Sequence, residues 1–293
     1  MHTVELSPFP VPGVRPCTLR VALPPGLMPP RGWPTAYVLD QKQFDVMCAD
    51  PGGLPGLLVG LGPRVPADRA REYVPAGWQP LPGPADAALA GALPMVSPRL
   101  VPSPASVGTA PARAGAAAWL RTLDQARSHI AGDFRLDPDR QVFCGHSLGA
   151  LFGLYVLLHR PRAFSGYVLS SPSVWWGGRY LDRLLRRRLA WLCRQGVPPL
   201  GLWLSVGAHE QGLSPREARD PALDAAARRQ RLSQRQARGM VDGMRALSAR
   251  VAACPDLRLH SAVLPGHTHQ SASVDALMPG WRWLLAAAGE PDA

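Results

Sequence analysis

Ser147 stands between two glycines in the stretch RQVFCGHSLGALFGLYVLL, Arg140 to Leu158. The centre of that stretch is Gly145-His146-Ser147-Leu148-Gly149. A serine hydroxyl attacks an acyl carbon only when a neighbouring base takes its proton. With this composition, chance alone would place a Gly-x-Ser-x-Gly match in roughly one such chain in six, so the flanks must carry the argument. A hydrophobic run, QVFC, leads straight into the motif, and an apolar helical run follows it. That is the strand–turn–helix pattern of a nucleophile elbow, whose tight turn demands nearly side-chain-free residues two places either side of the serine. Gly145 and Gly149 meet the demand. The helix start also aims backbone N–H groups at the site, which makes the Leu148 N–H a candidate oxyanion donor.

In this architecture the chain order is serine, acid, histidine, with the base after the last strand. VLPGHTHQSASV supplies two histidines there, His267 and His269, whereas His129 and His159 fall on helical patterns. His146 points away from the site by its place in the elbow, yet it is kept as a candidate for contact with substrate. The acidic residues between Ser147 and His269 are Asp182, Glu210, Glu217, Asp220, Asp224, Asp242 and Asp256. Glu210 directly follows LWLSVG, the strand after which this fold usually places its acid.

Regular alternation positions these groups. The sequence predicts strands at CTLRVAL, TAYVLD and GLLVGLG, the last being a Gly-bounded apolar run typical of a strand buried on both faces. It then predicts a helix over AGAAAWLRTLDQARSHIAGDF, a short strand RQVFC and an apolar helix LGALFGLYVLLHR. Next come a strand SGYVLSSPS, a helix RYLDRLLRRRLAWLCRQ and a strand PLGLWLSVG. One long helix from about Pro221 to Ala252, a strand DLRLHSAVLPG and a closing helix SVDALMPGWRWLLAAAG complete the pattern. The alternation predicts an α/β fold with a mostly parallel central sheet and helices on both faces. The whole chain, 1–293, is read as one α/β-hydrolase domain, with a Pro/Ala-rich loop over 75–111 as a candidate flap.

Composition bounds the function. Hydrophobic content of 46% and charged content of 18% suit a folded globular protein. No apolar run reaches the roughly 18 to 20 residues a membrane span needs. The N-terminus, MHTVELSPFPVPG, shows no basic leader before an apolar run, so a cytoplasmic location is expected. The net charge of +11 comes almost wholly from arginine, Lys42 being the one lysine. The arginine clusters at Arg186 to Arg188 and Arg228 to Arg238 lie on helical patterns and read as solvated faces, not phosphate clamps, so no nucleic-acid partner is expected. The positive balance still favours anionic small molecules. Five cysteines without metal-ligand spacing read as reduced thiols, and neither metal nor organic cofactor is expected.

The stretch FCGHSLGALFGLYVLLHRPRAFSGYVLSSPSVWW resembles the putative-esterase branch of α/β-hydrolases, most closely the enterobactin- and salmochelin-type siderophore esterases. Members of that family carry a G-H-S-[LY]-G-G-L-F elbow, a run S-P-S-x-W-W, a strand end V-G-x-x-E and a late P-G-x-x-H segment. Their counterparts here are Gly145 to Phe152, Ser171 to Trp176, Val206 to Glu210 and Pro265 to His269. Upstream, AYVLDQ is similar to the family's L-L-D-G strand end and REYVP, Arg71 to Pro75, to its R-D-Y-T-P. The resemblance implies His269, not His267, as the base and Gln41 as the second oxyanion donor. It also implies Arg71 as a contact for acidic catecholate or carboxylate groups. Trp175 and Trp176 follow the strand end that faces such a site and suit stacking on aromatic rings. The chain departs from the pattern at Gln41, where the family has Gly, at Ala150, where it has a second Gly, and throughout the Pro/Ala loop. Some members are thought to work with a Ser–His dyad alone, so Glu210 is a candidate acid and not a requirement.

The expected activity is ester hydrolysis through an acyl-enzyme, and the resemblance implies a small-molecule ester of siderophore type, with an anionic ferric siderophore as a candidate, in the service of iron acquisition. A general carboxylesterase, an aryl or feruloyl-type esterase, and a non-catalytic ligand-binding protein on the same scaffold are the alternatives.

Overall fold

The computed structural model of the chain describes residues 2–9, 17–75, 78, 115–193 and 200–286. Apart from Pro75 and Trp78, the 75–111 loop expected as a flap lies outside the described residues, up to its last position. Eight strands form one sheet: β1 (His2–Phe9), β2 (Cys17–Leu23), β3 (Trp33–Leu39), β4 (Leu57–Pro63), β5 (Leu136–His146), β6 (Gly166–Ser170), β7 (Leu200–Gly207) and β8 (Leu257–Leu264). They lie in the order β1-β2-β4-β3-β5-β6-β7-β8. The β1–β2 and β2–β4 pairs are antiparallel, and every pair from β4 through β3 and β5 to β8 is parallel. The expected mostly parallel sheet is therefore present, with β1 as an additional edge strand.

Side chains alternate across the sheet, and bulk decides the faces. On one face Tyr37, Leu39, Phe143, Tyr167 and Leu169 pack with Trp119 and Leu123 of α3 (Ala116–Asp133), Phe152 and Leu157 of α4 (Leu148–His159), and Met244 and Leu247 further on. On the other face Ala36, Val38, Val142, Cys144 and Val168 pack with Phe44 and Met47 of α1 (Gln41–Cys48) and with Leu277 and Trp281 of α9 (Val274–Ala286). A one-residue slip of β3 would drive Tyr37 into the slot shaped for Ala36, and overpacking of that kind costs about 1–3 kcal/mol. The register is thus pinned at the strand end from which α1 departs. Helix α4 is buried along nearly its whole length, which fits a helix apolar on every side.

Two expectations need correction. The single helix expected from about Pro221 to Ala252 is two helices, α7 (Ala225–Arg238) and α8 (Met240–Ala252), preceded by a short separate helix, α6 (Pro215–Arg219). Gly239 breaks it in the left-handed conformation, φ 54°, its N–H bonding back to the carbonyls of Arg235 and Gln236. A glycine there ends α7 as a helix cap and turns the chain into α8. The second correction concerns the thiols. Cys193, just after α5 (Gly178–Leu192), and Cys254, just after α8, form a disulfide with Cα atoms 5.4 Å apart. Their separation of 61 residues left no local spacing to read. Cys17 and Cys144 are buried free thiols, as expected, and Cys48 is half-buried. The remaining helix, α2 (Arg69–Tyr73), lies between β4 and α3 in the chain.

Candidate active site

The strand β5 ends at His146 and α4 begins at Leu148, so Ser147 occupies the turn between them. Its backbone sits at φ 60°, ψ −118°. A side chain in that region costs on the order of 1–3 kcal/mol and persists only where the surroundings over-determine it. The surroundings do so here. The Ser147 N–H donates to the Ser170 carbonyl (3.0 Å), and the Ser147 carbonyl accepts from the N–H groups of Leu151 (3.0 Å) and Ser173 (3.2 Å). A Cβ on Gly145 would lie 2.6 Å from the backbone carbonyl of Gly149, and one on Gly149 would lie 3.3 Å from Leu39. The two glycines are therefore a consequence of how closely α4 must approach β3 and β5.

The neighbouring strand ends bring two partners to this serine. Glu210 closes the short 3-10 turn after β7, Ala208–Glu210, and His269 lies in the loop after β8. The His269 Nε2 is 2.9 Å from the Ser147 Oγ, and its Nδ1 is 2.6 Å from the Glu210 Oε2. The Glu210 side chain is 0% exposed, while that of His269 is 37% exposed. A buried carboxylate is tolerable only when its lone pairs are filled. Here Oε1 accepts from the Gly207 N–H (2.7 Å) and the Ser171 hydroxyl (2.5 Å), leaving Oε2 for the imidazole. The result is an ordered Ser–His–carboxylate line. An arrangement of this type can remove a hydroxyl proton, fix the imidazole tautomer and support the imidazolium that forms. The other late histidine is committed elsewhere: His267 Nε2 pairs with Asp275 at 2.8 Å and Nδ1 lies 3.2 Å from the Ser271 hydroxyl.

Two cavities meet at Ser147, His269 and Gln270. One, of about 410 Å³, is walled by Leu148, Ser173, Trp175, Trp176, Arg235, Arg238 and Met240. The other, of about 260 Å³, is walled by Asp40, Gln41, Lys42, Arg69 and His146. Gln270 accepts a hydrogen bond from the Lys42 ammonium (3.1 Å), tying the His269 loop to α1. The structure thus brings Leu148, Gln41 and both tryptophans to the cavities as the sequence suggested. Gln41 is the first residue of α1, its side-chain amide donating to the Thr18 carbonyl (3.2 Å). The tryptophan rings are 5.4 Å apart, and the Arg238 guanidinium lies 5.2 Å from the Trp175 ring.

Three placements differ from expectation. Arg71 is exposed and lines neither cavity. Arg69, one half-turn earlier on α2, reaches the smaller cavity instead, its Nε 2.6 Å from Asp40 but off the line of a hydrogen bond. His146 does not point away from the site: its buried ring packs against His269 with centroids 4.7 Å apart, and its Nδ1 lies 3.2 Å from the Ser170 hydroxyl. Finally, the second arginine cluster is not wholly a solvated face, because Arg235 and Arg238 wall the larger cavity. Arg235 clasps Glu217 with both terminal nitrogens (2.5 and 2.7 Å) and donates to the Gly212 carbonyl (2.6 Å). The Arg186 cluster member behaves as expected, pairing with Asp182 one helical turn away at 2.8 Å.

Charge around the site is fixed by these contacts. The Arg235 clasp holds the Glu217 carboxyl down to about 2, against the opposing effect of burial. Because the folded value is depressed, the clasp is intact above the ordinary carboxylate range and is lost only as pH falls through about 2. Burial pushes Asp40 up, with Arg69 and the Tyr73 hydroxyl, which donates to Asp40, acting in the opposite direction. His146 is held well below the usual imidazole range, first by burial and then by the charges of His269, Arg69 and Lys42. A neutral ring is therefore packed beside His269. Among the described residues no group of histidine, cysteine and carboxylate side chains is arranged to hold a metal ion.

Known proteins share this framework. The ferri-bacillibactin esterase BesA of Bacillus subtilis is 27% identical over 199 residues, a stretch covering 62% of each chain. A siderophore enterobactin esterase of Emericella nidulans is 35% identical over 77 residues, 26% of this chain and 25% of that one. The chain thus matches less than two thirds of the length of these relatives. Among solved structures, the siderophore hydrolase EstA of Aspergillus nidulans superposes with a TM-score of 0.73 at 20% identity, covering 98% of this chain and 95% of its own. The BES protein of Bacillus cereus gives 0.67 at 21% identity, with 96% and 95% covered. At these identities the structural likeness establishes the α/β-hydrolase fold. The family model described as serine aminopeptidase, S33, matches residues 108–263, which include the elbow, Glu210 and the two arginines of the larger cavity but stop short of His269. More than half of the chain falls within that match, and the chain belongs to this family of serine hydrolases.

Proposed function

We propose that the protein is a serine esterase that cleaves carboxylic esters of siderophore type through an acyl-enzyme, within one α/β-hydrolase domain. The observation that carries the reading is the Ser147–His269–Glu210 line, with Oγ···Nε2 2.9 Å and Nδ1···Oε2 2.6 Å, built on a strained serine. His269 Nε2 takes the Ser147 proton as Oγ bonds to the acyl carbon, and the carbonyl oxygen becomes an oxyanion held by the Leu148 and Gln41 N–H groups. Collapse breaks the ester C–O bond, and His269 returns the proton to the departing alkoxide. Water then gives a proton to His269, its oxygen bonds to the acyl carbon, and Ser147 leaves with the proton restored. Glu210 keeps the imidazole oriented throughout.

The substrate class follows from the relatives' named activities and from the cavity walls. Trp175, Trp176 and Arg238 offer an aromatic face beside a cation, which suits an anionic aryl arm. Each carboxylate among the described wall residues already has a partner: Glu217 is clasped by Arg235, Glu210 accepts from Gly207 and Ser171 and faces His269, and Asp40 pairs with Arg69 and accepts from the Tyr73 hydroxyl. This favours esters over amino-terminal peptide bonds. No described helix is long and apolar enough to cross a membrane. Cytoplasmic action is part of the proposal.

The test compares a catecholate trilactone siderophore, with and without iron, against p-nitrophenyl acetate. Efficient trilactone cleavage supports the proposal, whereas fast acetate turnover with negligible trilactone cleavage makes the protein a general carboxylesterase. Arg238→Ala is expected to raise KM for an anionic aryl ester about five- to tenfold, as for a partly exposed charge-assisted contact, and to leave p-nitrophenyl acetate turnover unchanged. Steady-state kinetics on the two esters read this directly.

A further inference from the structure

Ser147 and Ser171 are the two non-glycine residues with positive φ among the described residues. The first is explained by the elbow. The second, at φ 49°, lies just beyond the end of β6, next to the end of β5, and is 0% exposed. Glycine adopts that backbone freely, and a side chain there is retained against a steric cost. What the side chain does is visible: the Ser171 hydroxyl donates to the Glu210 Oε1 at 2.5 Å.

We propose that Ser171 is a positioning residue that holds the Glu210 carboxylate in the plane required by His269. The inference rests on the esterase reading above. Glu210 arrives from the turn after β7, and the Gly207 N–H on its own turn fixes Oε1 at 2.7 Å. One donor leaves the carboxylate free to swivel about that contact. The Ser171 hydroxyl supplies a second donor to the same oxygen from the neighbouring strand, so only Oε2 remains for the imidazole. The Ser171 N–H is itself anchored to the Ser205 carbonyl of β7 at 2.7 Å, which locks the spacing between the two strand ends. Two donors from different strands define a plane, and the Nδ1 contact of His269 follows from it.

Ser171→Gly separates this role from a structural one, because it removes the hydroxyl and relieves the backbone at the same time. The expected result is kcat for p-nitrophenyl acetate down about tenfold with KM within twofold, and a Tm no more than a few degrees lower, because relief of the backbone offsets part of the lost hydrogen bond. In a Glu210→Gln background, Ser171→Gly is expected to cause no further loss, because its effect passes through that carboxylate. Unchanged kcat, or a loss of the same proportion in the Glu210→Gln background, would overturn the proposal. Failure of the esterase reading is distinguishable, since the unsubstituted protein would then neither turn over the ester nor react with a fluorophosphonate; that result removes the proposal with it.

Discussion

Ser147→Ala is expected to lower kcat for every ester substrate by about 10⁵-fold or more while the fold is retained. Alanine keeps the Cβ, so the backbone at φ 60° is no more strained than before and the Ser170 and Leu151 main-chain bonds persist. What disappears is the covalent intermediate. Groups that act as a unit lose nearly everything when one is removed, so His269→Ala should cost a similar factor and the double variant little more. The residual rate is that of the oxyanion donors acting on bound substrate with water as nucleophile. Steady-state kinetics with p-nitrophenyl acetate, paired with a thermal melt, check both halves. A Ser147→Ala protein that melts normally and keeps more than a hundredth of the activity would contradict the assignment.

The second large effect is on stability. Gly145→Ala places a methyl group 2.6 Å from the carbonyl carbon and oxygen of Gly149 and 2.8 Å from the Ala150 nitrogen. All three are backbone atoms at the start of α4, and no flexible side-chain end can move aside. The helix must shift away from β5, yet α4 is buried along its length and its N-terminus closes on Leu39. Overpacking that cannot relax belongs to the severe class of core substitutions, on the order of 3 kcal/mol. For a domain of this size that is roughly 6 to 12 °C in Tm. Because the shift moves Ser147 and the Leu148 N–H together, activity is expected to fall with the melting point. Calorimetry alongside ester hydrolysis gives the result, and a Tm within 2 °C of the parent protein would show that the elbow is looser than these distances require.

The contrast between what was legible in the sequence and what was not has a physical basis. The elbow could be read because every requirement is local: a strand of period two, a turn that excludes side chains and an apolar helix, all within Gln141 to His159. Topology makes Glu210 and the His267/His269 pair legible, since a parallel sheet delivers consecutive strand ends to one edge, and the resemblance of Pro265 to His269 to the family's P-G-x-x-H segment is what points to His269. The resemblance points to Arg71, but Arg69 is the arginine that lines the smaller cavity, because the side of a short helix that faces a cavity depends on how α2 meets its neighbours, which a motif match does not encode. Arg235 and Arg238 were read as solvent-facing because the pattern suggested one continuous helix. The left-handed Gly239 turns the chain there and leaves the end of α7 against the cavity. His146, Ser171 and the Cys193–Cys254 pair act through partners on other strands and helices, and contacts of that kind leave no periodic trace.

One measurement bears most directly on the central claim that Ser147 is an activated nucleophile. The folded protein is treated with a fluorophosphonate, digested, and the adduct located by peptide mass spectrometry. The expected result is a single phosphonylated residue, Ser147, with labelling that stops on heat denaturation and slows by several orders of magnitude in His269→Ala. Folded protein that takes up no label, or that carries it on a serine other than Ser147, would show that Ser147 is not the nucleophile.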